Sequence, residues 1–144
     1  MLDHHAWLDP RRVAPRVEIE ALCNEIADGD ERPGFVIDLS GSGMRIERPF
    51  VKRGLAPLGA LQLEIELPGI DEIIWARAQV CFDRVRPGLD GKLTRTTGVR
   101  VAAAATRDLK LLRDYVIELR RARRAREALE RAVFAVNEAA LYLH

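Results

Sequence analysis

Apolar and polar residues alternate through most of the first hundred positions, which is the pattern of half-buried β-strands. The segment VEIEALCNEI at 17–26 begins with Val17, Ile19 and Ala21 alternating with two glutamates. The segment LQLEIEL at 61–67 alternates without a break before Pro68-Gly69. Further strands are predicted at 35–37, 44–47, 73–85 and 96–101. Together these segments predict a domain that is mainly β.

Turn-forming residues separate the predicted strands. Glycine and proline punctuate the polar run at 27–34, DLSGSG at 38–43 is the densest turn sequence, and a glycine-containing loop covers 87–92. In the strand at 73–85, one face is expected to carry Ala76, Ala78, Val80 and Phe82. Because exposed sheet edges pair readily with other chains, closure is favoured. The sequence therefore predicts a six-stranded antiparallel β-barrel.

The pattern changes at Thr106, after which neither proline nor glycine occurs up to His144. Thr106 and Asp108 supply an N-cap and a first-turn acid, so residues 106–144 are predicted to form a C-terminal α-helical extension. Its first half carries an apolar stripe that is expected to pack on the barrel, formed by Leu109, Leu112, Val116 and Leu119.

Beyond Arg120 the apolar stripe drifts around the helix, which predicts a bend or a change of packing partner there. Its members in this half are Ala122, Ala125, Leu129, Val133 and Val136. This half is predicted to contact either a different protein or another copy of the chain as a homo-oligomer. The arginine run at 120–126 is diluted by nearby glutamates, which favours a solvated face with ion pairs along the helix.

Length and composition limit what the chain can be. Its 144 residues fit one domain, divided into an N-terminal arm at 1–10, a barrel at 11–105 and the helical extension at 106–144. A hydrophobic fraction of 48% supplies a core that disordered chains lack. The net charge of +1 gives no bulk attraction to DNA, RNA or anionic lipid, so any charge-driven binding must be local.

The cysteines and histidines indicate neither a disulfide scaffold nor a metal site. Cys23 and Cys81 lie in apolar runs and are expected to be two reduced thiols in the core. His4 and His5 are adjacent near a terminus, where a frayed end is expected rather than a ligand pair. No stretch reaches the roughly 20 apolar residues of a membrane span, and no signal-peptide pattern opens the chain, so a cytoplasmic location is predicted.

Two short motifs carry a resemblance to a known family. Arg12 and Arg16 form an RxxxR pattern just before the first strand, and Asp38, Ser40 and Gly43 form a DxSxxG pattern at a turn between strands. In this order, on a six-strand pattern, the two motifs resemble the PilZ domain family over residues 10 to 103. The segment GVRV at 98–101 is similar to a late strand of the family, with a valine where an aromatic residue is frequent.

The resemblance implies a bacterial receptor for cyclic di-GMP, a dianion with two guanine bases, and no cofactor besides this ligand. The planar guanidinium groups of Arg12 and Arg16 suit guanine O6 and N7 or phosphate oxygens. The carboxylate of Asp38 suits the N1 and N2 donors on guanine's other edge, with the Ser40 hydroxyl beside it as donor or acceptor.

Three further residues complete the predicted ligand site. Gly43 lacks a Cβ, which lets the backbone approach a ligand closely and lets the turn adopt a positive φ. Arg45 is predicted to contact a phosphate. In the family, the residue before RxxxR influences whether one ligand or a stacked pair is bound, so Arg11 implies an intercalated pair of cyclic di-GMP molecules.

A purely structural interpretation of the same motifs stays open. Asp38 and Ser40 would then close an Asx-type turn, and the two motif arginines would be surface charges near the chain end. Trp75 is favoured as a residue of the barrel core or surface rather than a stacking platform. Trp7 lies near the arginines in sequence and could fold over the site.

No catalytic arrangement accompanies the predicted site. The three histidines lie at the ends of the chain, and neither a nucleophile motif nor a GxxxxGK[ST] phosphate loop occurs. The chain is therefore predicted to be a binding module, not an enzyme, that signals to a protein partner when ligand fixes the arginine arm against the barrel. The alternatives are a PilZ adaptor that binds no ligand and a barrel that binds single-stranded nucleic acid, against which the 6% aromatic content argues.

Overall fold

A computed structural model describes residues 16–27, 29–51 and 59–142 of the chain. These residues form six strands followed by a helix. The strands are β1 (Val17–Ala27), β2 (Asp30–Leu39), β3 (Gly43–Pro49), β4 (Ala60–Glu66), β5 (Ile74–Pro87) and β6 (Leu93–Ala104), and the helix is α1 (Thr106–Tyr142).

The six strands close into a barrel in the order β1-β2-β3-β6-β5-β4. Every neighbouring pair is antiparallel, and β1 completes the ring by pairing with β4. Closure pairs both edges of the sheet, which prevents edge-to-edge association with other chains. The prediction of a six-stranded antiparallel barrel with a C-terminal helix is confirmed.

Apolar side chains at alternate positions fill the interior of the barrel. In β4, Leu61, Leu63 and Ile65 are buried, and the polar residues between them face away from the core. Burial of each such side chain contributes about 1.5 to 3 kcal/mol to folding. The other members of the core cluster are Val17, Ala21, Cys23, Val36, Leu39, Met44, Ile46, Leu67, Ile74, Ala78, Val99, Leu112 and Val116.

A β-bulge in β5 changes which of its side chains face the core. Val80 pairs with Val99 and Phe82 pairs with Gly98, so Cys81 is an extra residue in the ladder. An extra residue inverts the alternation, because successive side chains of a strand point to opposite faces. Phe82 consequently faces outwards. The prediction that it shares a face with Val80 and the two alanines before it is wrong.

A cluster of charged side chains lies inside the barrel, at the end opposite the turn between β2 and β3. Asp83 accepts hydrogen bonds from Nη2 of Arg95 at 2.6 Å and from the Thr97 hydroxyl at 2.8 Å. Arg48 pairs with Glu25 at 3.2 Å and donates to Thr97 at 3.2 Å. Buried charges are tolerated only when they are paired, so this network links β1, β3, β5 and β6.

The first turn of α1 is tied to the start of β5. The buried Asp108 carboxylate accepts a hydrogen bond from the backbone N–H of Trp75 at 3.2 Å and pairs with Arg107 at 2.9 Å. Trp75 itself is 45% exposed on the barrel surface, one of the two positions expected for it. Trp7 lies outside the described residues.

The first half of α1 packs on the barrel, as its apolar stripe predicts. Leu112 and Val116 are buried, and Leu119 is partly buried against the core. The helix continues through Arg120 to Tyr142, and the large apolar residues beyond Arg120 are exposed. The apolar stripe therefore leaves the barrel near Arg120, and the bend or change of packing partner there stays a prediction.

The two cysteines differ in their surroundings. Cys23 is buried in the barrel, and burial raises the pKa of its thiol to about 12. Cys81 is only half-buried at the bulge of β5. Both are free thiols, as predicted, but the prediction that both lie in the core is wrong for Cys81, because the bulge displaces it from the inward-facing series.

No helix in the described part of the chain is long and apolar enough to cross a membrane. Across the same residues, no group of three or more His, Cys, Asp or Glu side chains could hold a metal ion. His4 and His5 fall outside these residues, and the cytoplasmic location stays a prediction.

We expect Asp83→Asn to lower the free energy of unfolding by about 3 kcal/mol, because it removes the ionised carboxylate that the buried Arg95 contacts with its Nε and Nη2 groups. Hydrogen bonds from Arg95 hold the pKa of Asp83 below its ordinary value of 3.8. Its contribution is therefore complete above that pH and is lost as the pH falls further. Urea unfolding from neutral pH to about pH 3 should show a wild-type advantage that narrows in acid.

The matched control is Asp71→Asn, which changes an exposed aspartate and should leave stability nearly unaltered at every pH. A wild-type advantage over Asp83→Asn that stays constant across the acid range would contradict a contribution from the ionised carboxylate.

Candidate ligand-binding site

The turn between β2 and β3 is closed by the hydroxyl of Ser40. Its Oγ accepts hydrogen bonds from the backbone N–H groups of Ser42 at 3.3 Å and Gly43 at 3.1 Å, and donates to the Gly43 carbonyl at 3.3 Å. A hydroxyl has one donor and two acceptor positions, and all three are used here. Ser40 therefore holds the turn in this structure, which is the structural role that the sequence left open.

Another β-bulge brings Asp38 to the outer face of the barrel. Val36 pairs with Ile46, which is in the core, and Asp38 pairs with the adjacent residue of β3, Arg45. Ile37 is the extra residue. Because partners across an antiparallel ladder lie on the same face, Asp38 shares the outer face with Arg45. Without the bulge, Asp38 would lie on the side of Val36, in the core.

The Asp38 carboxylate is buried beside two arginines. Its Oδ2 contacts both Nε and Nη2 of Arg45 and lies 3.9 Å from Nη1 of Arg16. Asp38 is 2% exposed, whereas the side chains of Arg45 and Arg16 are 43% and 30% exposed. The other oxygen, Oδ1, has no hydrogen-bond partner among the described residues. One oxygen is thus fixed, and the other is an acceptor to which no described residue donates.

Four residues form a row across the outer face of the barrel at this level. Asp38 of β2 pairs with Arg45 of β3, and Arg45 pairs on its other side with Gly98 of β6. Gly98 in turn pairs with Phe82 of β5. A Cβ at position 98 would overlap the ring of Phe82, so the missing side chain is what lets this ring lie against the sheet.

A groove with a volume of about 650 Å³ runs along this face. Its lining includes four arginines and one acid, namely Arg16, Arg45, Arg84, Arg86 and Glu47. The guanidinium carbon of Arg84 lies 5.3 Å from the centre of the Phe82 ring, within cation–π distance. An arginine-rich groove with an aromatic surface suits an anionic ligand that carries flat rings.

Comparison with protein-family models gives a match to the PilZ domain over residues 10–118. The chain belongs to the PilZ domain family. No curated protein matches the sequence significantly.

Three solved structures share this fold at low sequence identity. The PilZ domain of YcgR from Escherichia coli, solved with c-di-GMP, is 19% identical with a TM-score of 0.62, and the match covers 82% of this chain and 98% of that one. MrkH from K. pneumonia has a TM-score of 0.65 at 15% identity, covering 81% of this chain and 52% of its own. The Bacillus subtilis inhibitor of motility, MotI/DgrA, has a TM-score of 0.58 at 18% identity, covering 73% and 49%. The PilZ chain described here thus spans about half the length of MrkH and MotI.

The described residues include all of the DxSxxG motif but only Arg16 of the arginine motif. The DxSxxG residues lie together where β2 turns into β3. Of the arginine motif, Arg16 lies beside Asp38, while Arg12 and the preceding Arg11 fall outside the described residues. Arg45, predicted as a phosphate contact, pairs with Asp38 and also lines the groove.

Gly43 does not adopt the left-handed backbone conformation. The described glycines with positive φ are Gly29, Gly59, Gly69 and Gly91. Gly43 is instead the first residue of β3, where it pairs with Arg100 of β6. The positive φ that a glycine would permit at this position is therefore not used, because Gly43 already belongs to the extended strand.

Among the residues that line or shape the PilZ groove, four important ones are not part of the ligand site predicted from the sequence: Phe82, Gly98, Arg84 and Arg86. Phe82, Arg84 and Arg86 occupy every second position of β5, and this spacing indicates that the three side chains share a face. The face itself could not be assigned, because no glycine or proline marks the bulge at Cys81.

We expect Gly98→Ala to displace the Phe82 ring and to lower the free energy of unfolding by about 1 to 3 kcal/mol, the usual result of overpacking. Since the ring is the obstacle, the same substitution in a Phe82→Ala background should lose much less. Urea unfolding of wild type, both single variants and the double variant measures this coupling. Equal losses in the two backgrounds would contradict the proposed contact.

Proposed function

We propose that this PilZ domain is a receptor for cyclic di-GMP, which binds in the groove beside Asp38. The carrying observation is the Asp38 carboxylate, which is buried and held by Arg45 but has no donor at Oδ1 among the described residues. A buried acceptor without a partner is unfavourable by about 1 to 3 kcal/mol. A ligand N–H group at this oxygen would remove that penalty, so the site favours a ligand with donors.

Guanine supplies such donors on one edge and hydrogen-bond acceptors on another. Its N1–H and N2–H groups point in the same direction and match a carboxylate, with bonds strengthened by the charge of Asp38. Its O6 and N7 atoms accept from a guanidinium fork, the role assigned to Arg12 and Arg16. Arg45 has five N–H donors and uses only its Nε and Nη2 groups on Asp38, so others remain for a phosphate.

The part of the groove that β5 lines supports binding of a second ligand molecule. Arg84 stacked on Phe82 offers a surface for another guanine, and Arg86 extends the positive charge along the groove. Arg11, next to the arginine motif, is assigned to the same second molecule. The proposed ligand is accordingly an intercalated pair of cyclic di-GMP molecules.

The family and its structures support this assignment. The YcgR PilZ domain, which shares the fold along 98% of its length, was solved with c-di-GMP. On one face of the barrel, the groove presents arginines that suit the phosphates of that ligand and an aromatic ring that suits its bases. The proposal includes no cofactor and no catalytic step.

Signalling would follow from the position of the arginine motif at the start of β1. A ligand held by both this motif and Asp38 favours the arrangement in which the segment before β1 lies against the groove. The difference in ligand affinity between this arrangement and others is what drives the change. A protein partner would then recognise the surface formed by segment, ligand and barrel together.

In calorimetric titrations with cyclic di-GMP, the wild-type protein should bind, and Arg12→Ala, Arg16→Ala and Asp38→Ala should each weaken binding tenfold to a hundredfold. Each change removes a charge-assisted contact of about 1.5 to 3 kcal/mol. Arg77→Ala and Asp71→Ala are matched controls, because both residues are exposed and neither lines the groove. Full affinity in any two of the three site variants would refute the site, and no binding by folded wild type would favour the adaptor alternative.

The stoichiometry should be two cyclic di-GMP molecules per chain for wild type and should shift towards one in Arg11→Leu. The leucine removes the guanidinium assigned to the second guanine while keeping an aliphatic side chain at this position. Equilibrium dialysis at saturating ligand measures the ratio directly. A ratio of one for wild type would contradict the paired ligand and leave the Asp38 site itself unaffected.

A further inference from the structure

The second half of α1 carries an apolar surface that nothing in the described chain covers. Leu129, Val133 and Val136 are 65%, 51% and 68% exposed. From residue 124 to the end of α1 the helix extends for about 28 Å at 1.5 Å per residue. In proteins, most of the stability of a helix comes from packing of its apolar face. Burial against a second helix would supply that packing along this surface.

The spacing of this surface is that of a helix paired with another helix. Leu129, Val133, Val136 and Ala140 follow one another at intervals of four, three and four residues, the heptad pattern of coiled coils. A second set recurs at every seventh position beside them, formed by Ala125, Ala132 and Ala139. Small side chains at a repeated position let two helices approach closely.

The heptad surface does not continue the face that packs on the barrel. At 100° per residue, its centre is rotated by about 130° from the centre of the face formed by Leu112, Val116 and Leu119. The barrel of the same chain therefore leaves this surface accessible. A second helix can dock on it without displacing α1 from its own barrel.

The charges of the helix favour an antiparallel second copy. A parallel pair would place two arginine-rich segments at 120–126 side by side, which like-charge repulsion opposes. An antiparallel pair separates these segments. If Val133 lies opposite Val136 of the second copy, Leu129 lies opposite Ala140 and Glu130 lies near Asn137, which can donate to it. The surface is then self-complementary about a two-fold axis.

We propose that two copies of this chain associate through residues 127–142 of α1 as an antiparallel coiled coil. The proposal is independent of cyclic di-GMP binding, because no residue of this surface lines the groove. Its failure would leave the receptor function untouched.

Sedimentation of the full chain, from micromolar to millimolar concentration, tests the association. Wild type should reach twice the chain mass of 16.2 kDa. Leu129→Asp combined with Val133→Asp should remain monomeric, with the same cyclic di-GMP binding as wild type. The matched control is Phe134→Asp with Leu141→Asp, which replaces two exposed apolar residues about 150° around the helix from the heptad surface and should still form the dimer.

Circular dichroism of each variant checks that the helix is retained. A wild type that stays monomeric at millimolar concentration, or a trimer or larger assembly, would overturn the proposal. So would equal loss of the dimer in the control pair, since the effect would then come from added charge rather than from the heptad surface.

Orientation is tested by disulfide formation in a Cys81→Ser background. Mixed chains carrying Val133→Cys and Val136→Cys should cross-link to each other in an antiparallel pair. Preferential cross-linking of Val133→Cys chains to themselves would indicate a parallel pair and would overturn the antiparallel arrangement.

Discussion

The groove depends on a constraint that every closed barrel obeys: side chains along each strand alternate between core and surface. A side chain can contribute to a site on the outer surface only if it belongs to the alternate positions of the strand that face outwards. The extra residues Ile37 and Cys81 reverse that parity, one in β2 and one in β5, and so bring Asp38 and Phe82 to the same outer face. Without the first bulge, a carboxylate would point into the core, where an unpaired charge is strongly unfavourable.

The bulge at Cys81 also explains the charged cluster inside the barrel. Turning Phe82 outwards turns Asp83 inwards, and the buried carboxylate then requires partners. Arg95 and Thr97 of the neighbouring strand supply them. The outward ring of Phe82 in the groove and the inward carboxylate of Asp83 in the ionic network are thus two results of one inserted residue.

Most of the fold could be predicted from the sequence, because the apolar residues that alternate along each strand are also the residues that fill the barrel core. The segment LQLEIEL shows this most simply: its buried leucines and isoleucine are the residues that mark it as a strand. The helix was equally accessible, since proline and glycine vanish at Thr106. Charged residues that face inwards, such as Glu25 and Arg48, break the alternation rule and give no sign in sequence of the partners that neutralise them.

The candidate site was predicted only where the residues form a local motif. Asp38, Ser40 and Gly43 are close in sequence and meet at one turn. Arg84 and Arg86 reach the site from a strand more than forty positions away, and their outward direction follows from a bulge without a sequence signal. The use of all three bonding positions of the Ser40 hydroxyl depends on the turn geometry and is likewise invisible in the motif.

The bulge in β5 has a practical consequence for observing this protein at work. It places a half-buried thiol, Cys81, directly before the aromatic residue of the groove, while the chain's other thiol, Cys23, is enclosed and held protonated by its raised pKa. Thiolates are the reactive form of cysteine, so labelling reagents should distinguish the two. The native sequence thereby offers a single attachment point for a fluorophore or spin label next to the groove, from which occupancy can be followed in real time.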